Sequence, residues 1–164
     1  MVYTNLLAPN GEPAYFGAKD WSCDIVLHRN ILDTMRRYST GIHEGFHSVS
    51  VGLTEEGYHV FQGYEEAVVE QCTRLFRERI LEGLKLMEPL DKRTSYNAYI
   101  AEMEKLRYWT GKEAEDFYLG LLKIPLAQRE ETVVKWIGMV DSGMDKGWLR
   151  RAIAEPLGKL KERM

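Results

Sequence analysis

The spacing of apolar positions separates a short strand-forming beginning from a long helical remainder. Residues 21–28 (W-S-C-D-I-V-L-H) form the best strand segment, with β-branched and apolar residues after a Lys-Asp turn. Tyr15-Phe16 is a second, shorter strand start behind a region of turn formers, Pro9 to Gly17. Ile31, Leu32 and Met35 then begin a helical pattern opened by Asn30 or Asp33. Either one helix covers about 30–51, or it breaks near Ser39-Thr40 and restarts. Gly52 is its stop, and residues 53–63, bracketed by Gly57 and Gly63, are expected to be a loop or short hairpin. From Tyr64, apolar residues recur every three or four positions (Val69, Cys72, Phe76, Ile80, Leu84, Met87), predicting a long helix that Pro89 ends.

Four more helices follow. Thr94 or Ser95 caps one with Tyr96, Tyr99, Ile100, Met103 and Leu106 on one face. Gly111 separates it from a helix over about 114–122. Pro125 sits in the first turn of the next, with Val133, Ile137 and Val140 inward. The last runs from about Met144 to Ala154, before Pro156. With strands confined to the first third, the fold class is α+β. Residues 1–88 hold the chemistry described below. Residues 89–164 are a helical part packed on that core as one domain, consistent with 164 residues.

Composition narrows the picture. A hydrophobic share of 45% is enough to fill a core, and a net charge of −3 with interleaved signs gives no nucleic-acid stripe and no polybasic membrane patch. Arg74, Arg77 and Arg79 alternate with Glu78 and Glu82 and read as a solvated helix face. Cys23 and Cys72 lack metal-type spacing, and two cysteines make no disulfide scaffold. The opening residues lack the charged-then-apolar pattern of a signal peptide, and no apolar run reaches the ~18 residues of a membrane span. A cytoplasmic setting is the expectation.

The chemistry centres on His43-Glu44-Gly45-Phe46-His47, an H-E-x-x-H motif using two of the four histidines. On a helix, residues four apart share a face, so both imidazoles can reach one metal ion, and Glu44 beside them can contact a metal-bound water or stand as a passive outer acid of a structural site. A catalytic zinc takes three protein ligands and keeps a fourth position open. Glu66 is the strongest third candidate. Eighteen residues separate it from His47, which allows a connection and a crossing helix. Glu70, four further on, shares the face of Glu66; one carboxylate can bind metal while the other orients a ligand imidazole. Glu65 and Glu70 are the competing ligands. Tyr58, His59 and Tyr64 are candidate oxyanion stabilisers, each also readable as a packing or surface residue.

The H-E-x-x-H motif, the gap of eighteen and the following E-A-x-x-E of residues 66–70 resemble the gluzincin metallopeptidases, among them thermolysin, the M1-type aminopeptidases and the small minigluzincins. The resemblance covers about 21–73. It implies a zincin-like core: a small N-terminal sheet, an active-site helix and a ligand helix, followed by the helical second half. It also implies Zn2+ on His43, His47 and Glu66, with Glu44 as general base and Glu70 supporting an imidazole. A peptide or protein substrate would bind along the edge of the strand at 22–28. The metzincin pattern is absent, because Ser50 and Leu53 stand where it needs glycine and histidine. No G-x-M-x-N signature of the aminopeptidases is present. Two function classes follow: a zinc-dependent metallopeptidase, or a non-proteolytic zincin-fold protein of interaction, assembly or regulation that keeps an inherited zinc site.

Overall fold

The computed structural model describes residues 2–4, 17–19, 21, 25–34, 36–89, 94, 96–140 and 145–162. The fold is mostly helical. Among the described residues, three short strands, β1 (Val2–Thr4), β2 (Gly17–Lys19) and β3 (Ile25–His28), precede six helices. These are α1 (Arg37–Val49), α2 (Glu55–Gly83), α3 (Asn97–Thr110), α4 (Ala114–Leu122), α5 (Arg129–Met139) and α6 (Lys146–Lys159). Among the expected features, Pro9, Tyr15, Phe16, Ser22, Cys23, Ser95 and Met144 lie outside the described residues.

The chain divides into two compact units, Met1–Val49 with Cys72–Arg93, and Ser50–Gln71 with Thr94–Met164. Residues 50–71, grouped by sequence with the first 88, therefore belong with the C-terminal helices. In the first unit the sheet order is β1-β3-β2, with β1 parallel and β2 antiparallel to β3. The strand expected to offer a free edge is thus the central one among those described: β1 pairs with residues 26–28 and β2 with residues 25–27. Helix α1 packs on β2 and β3, and Phe46 meets Phe76 with ring centroids 6.2 Å apart. Leu27, Ile31, Phe76 and Leu81 are buried here.

Helix α1 is a restart. A short 3-10 turn, Arg29–Asp33, comes first, and His28 closes it by accepting the Asn30 N–H on Nδ1. The first amides of α1 are satisfied from far along the chain. The Glu88 carboxylate accepts the N–H groups of Tyr38 (2.8 Å) and Ser39 (3.0 Å). A negative charge at a helix N-terminus also complements the helix dipole. Arg77 anchors that carboxylate with an Nη2–Oε2 distance of 3.0 Å, and donates to Ser39 Oγ at 2.7 Å and to the Pro89 carbonyl at 2.7 Å. Arg77 is buried, contrary to the solvated face expected of it; Arg79 is the exposed member of that run and stacks on Phe76.

In the second unit, residues 55–63 are helical, where a loop or hairpin was expected. Thr54 caps α2 by accepting the Gly57 N–H on Oγ1 (3.1 Å), and Glu55 and Glu56 fill the first turn with negative charge. The glycines that suggested a loop serve packing instead. A Cβ on Gly63 would lie 2.4 Å from the Leu160 carbonyl oxygen and 2.8 Å from the Tyr99 ring, so only glycine admits this approach. One kink interrupts the helix at Phe61 (φ −119°, ψ 29°). Gly52 has φ 68°, a left-handed turn held by hydrogen bonds of Val51 to Leu122 and Leu126.

Helix α2 stops at Gly83, short of Pro89. Leu84 and Met87, expected on its buried stripe, are 62% and 92% exposed. Helix α3 packs on α5 and α6, and its Tyr99, Ile100, Met103 and Leu106 are buried as expected, whereas Tyr96 precedes the helix in left-handed backbone (φ 61°) and is half-buried. Pro125 precedes a 3-10 turn, Leu126–Gln128, that leads into α5. Val133 and Ile137 are buried while Val140 is 40% exposed. Pro156 does not end α6 but lies in its last turn, where its carbonyl still accepts the Leu160 N–H. No helix among the described residues is long and apolar enough to cross a membrane.

Candidate metal centre

His43 and His47 project from the same face of α1, one turn apart, and both are buried. Their Nε2 atoms lie 3.2 Å apart, with the rings edge-on at 79°. Two nitrogens on one ion at about 2.0–2.2 Å would be about 3.3–3.6 Å apart in a tetrahedral arrangement. The observed separation is close to that value.

Glu66 lies on α2 and is buried. His43, His47 and Glu66 each offer a ligand atom, and all these atoms lie within 4.8 Å of one another. Two imidazoles and one carboxylate are a donor set that zinc accepts, so the residues present fit the ion. Glu44, adjacent to His43, is also buried. Glu70 is fully buried one turn beyond Glu66, and so does not point to solvent.

Glu65, a competing ligand by sequence, is taken up elsewhere. Its Oε2 pairs with Arg129 Nη1 at 2.6 Å and accepts the Ser50 hydroxyl at 2.8 Å. Both partners of this ion pair are fully buried. Adjacent residues on a helix point about 100° apart, so Glu65 and Glu66 serve different surroundings.

The three candidate oxyanion groups have distinct placements. Tyr58 donates its hydroxyl to Glu66 Oε1, and Gln62 Nε2 donates to the same hydroxyl oxygen at 3.3 Å. Burial first, and then the charge of Glu66, hold the Tyr58 phenol above its ordinary range, so it is a proton donor at neutral pH. Tyr64 is fully buried, with its hydroxyl 3.5 Å from the Leu157 carbonyl on α6. His59 is exposed and lies 3.9 Å from Glu55 on the same helix.

Sequence reading missed three features of this region: the Glu88 cap on Tyr38 and Ser39, the Arg129–Glu65 pair and the Tyr58–Glu66 bond. The first two join residues 49 or more positions apart, and no local pattern announces them. Compared with known families, curated proteins and solved structures, the chain matches none.

Proposed function

We propose that this chain is a zinc-dependent metallopeptidase with a gluzincin-type, zincin-like core. The observation that carries this reading is the buried grouping of His43, His47 and Glu66, with Glu44 within the same helical turn as the two imidazoles. The imidazole nitrogens of His43 and His47 and the carboxylate of Glu66 would hold the ion. Zinc bound there supplies Lewis acidity, polarising a carbonyl and acidifying water. The Glu44 carboxylate takes a proton from the attacking water and delivers it to the nitrogen of the departing amine. The remaining O–H of the water stays with the new carboxyl group, so the peptide bond is exchanged for a C–O bond without any redox partner. Glu70 is assigned to orienting a ligand imidazole from behind.

The test is the Glu44→Gln variant beside wild type, each at measured zinc content, against a panel of peptides and unfolded proteins. Glutamine keeps the shape and removes the basicity. Zinc content should be unchanged and hydrolysis should fall by about 10²–10⁴-fold or more. A His43→Ala, His47→Ala double variant should lose the zinc itself. Equal rates in wild type and Glu44→Gln would refute the general base. A zinc-loaded wild type that cleaves nothing would favour the non-proteolytic alternative, an interaction or assembly protein that uses the site structurally.

A further inference from the structure

The hydroxyl of Tyr58 is spent on Oε1 of Glu66. These residues are eight apart, and a straight helix would set them about 12 Å apart along its axis. The kink at Phe61 lies between them and departs from helical geometry at that single residue. Gln62, just past the kink, also donates to the Tyr58 oxygen. The bend and the bond therefore belong together: one residue of non-helical backbone accompanies a contact between two side chains more than two turns apart.

A carboxylate on a flexible two-methylene arm has several rotamers, and a metal ligand works best with only one. A hydroxyl fixed on one oxygen removes that freedom and presents the other oxygen in a set direction. We infer that Tyr58 is a positioning residue for the proposed ligand Glu66, holding its carboxylate so that it meets a divalent cation through one oxygen. The inference rests on the zinc-site reading above. It replaces the oxyanion role considered for Tyr58 with one exercised through Glu66.

The test compares wild type, Tyr58→Phe and Tyr64→Phe. Tyr64 is a matched control, a buried tyrosine of the same helix whose hydroxyl faces a backbone carbonyl of α6. Zinc affinity is measured by competition with a chromogenic chelator, and the coordination geometry is followed by the visible spectrum of the cobalt-substituted protein. Tyr58→Phe should bind zinc about 10–100-fold more weakly and shift the cobalt spectrum. Tyr64→Phe should leave both unchanged even where it lowers the melting temperature of the metal-free protein. Tyr58→Phe binding zinc as tightly as wild type, with the same cobalt spectrum, overturns the inference and leaves the zinc site standing. Wild type that binds no zinc overturns both. Should Tyr58→Phe lose its native circular dichroism, wild type decides by infrared difference spectra between its zinc-loaded and metal-free forms: carboxylate bands of one-oxygen coordination support the inference, and bands of two-oxygen coordination overturn it.

Discussion

Arg129 is completely buried, and its guanidinium is satisfied by named groups: Glu65 at 2.6 Å, Ser50 Oγ at 2.5 Å and the Ile124 carbonyl at 3.2 Å. Removing one member of such a pair strands the other charge in a low-dielectric interior. Arg129→Met should therefore lower the unfolding free energy by about 3–5 kcal/mol, read from urea midpoints. Arg129→Met combined with Glu65→Leu should regain much of the loss, because no lone charge remains. Failure of the double variant to recover would show that the pair matters through packing rather than charge. At this scale the sequence is legible where the geometry is local. His43 and His47 could be grouped because a helix repeats every 3.6 residues, and the structure does bring Glu66 to them. Distinguishing Glu66 from Glu65 took more than spacing. Arg129, 64 positions from Glu65, is what occupies the latter.

Helix starts show the same division between local and distant causes. Thr54 with Glu55 and Glu56 is a helix-opening signal written in consecutive residues, yet Gly57 and Gly63 made 53–63 look like a loop. The structure resolves the conflict through close packing: at Gly63 the absence of a Cβ admits Leu160 and Tyr99. Helix α1 has no such local opening, since no acidic residue occupies its first turn. Its cap comes from Glu88, 50 positions beyond Tyr38, and no window of sequence around residue 37 contains it. Glu88→Gln keeps the side-chain volume but loses the charge that Arg77 and the two amides share. It should cost about 1–3 kcal/mol and raise hydrogen-exchange rates at Tyr38 and Ser39 more than at amides near the C-terminal end of α1. Uniform exchange along α1 would mean that Glu88 supports the unit as a whole and not the start of that helix. The ends of α2 and α6 also depart from expectation: α2 stops at Gly83, before Pro89, and α6 continues through Pro156.

For the whole molecule, a ligand that binds only the folded chain raises its stability according to its concentration over its dissociation constant. Zinc at 100 times that constant should add about 2.7 kcal/mol, seen as a higher melting temperature that chelator reverses. The His43→Ala, His47→Ala variant should show no such response, and an equal response there would locate the ion elsewhere. The coarse architecture, an α-rich fold with its few strands near the start, followed from periodicity alone. The division into units did not, because the first one is assembled from two separated stretches, Met1–Val49 and Cys72–Arg93. This has a practical consequence for anyone trimming the protein. A fragment ending at residue 83 would retain every proposed ligand and the whole of α2, yet it would lack the carboxylate that closes the first turn of the motif helix. The smallest excised piece able to keep that helix natively capped is set by Glu88 and the Pro89 carbonyl that steadies Arg77, not by the last residue with a chemical role.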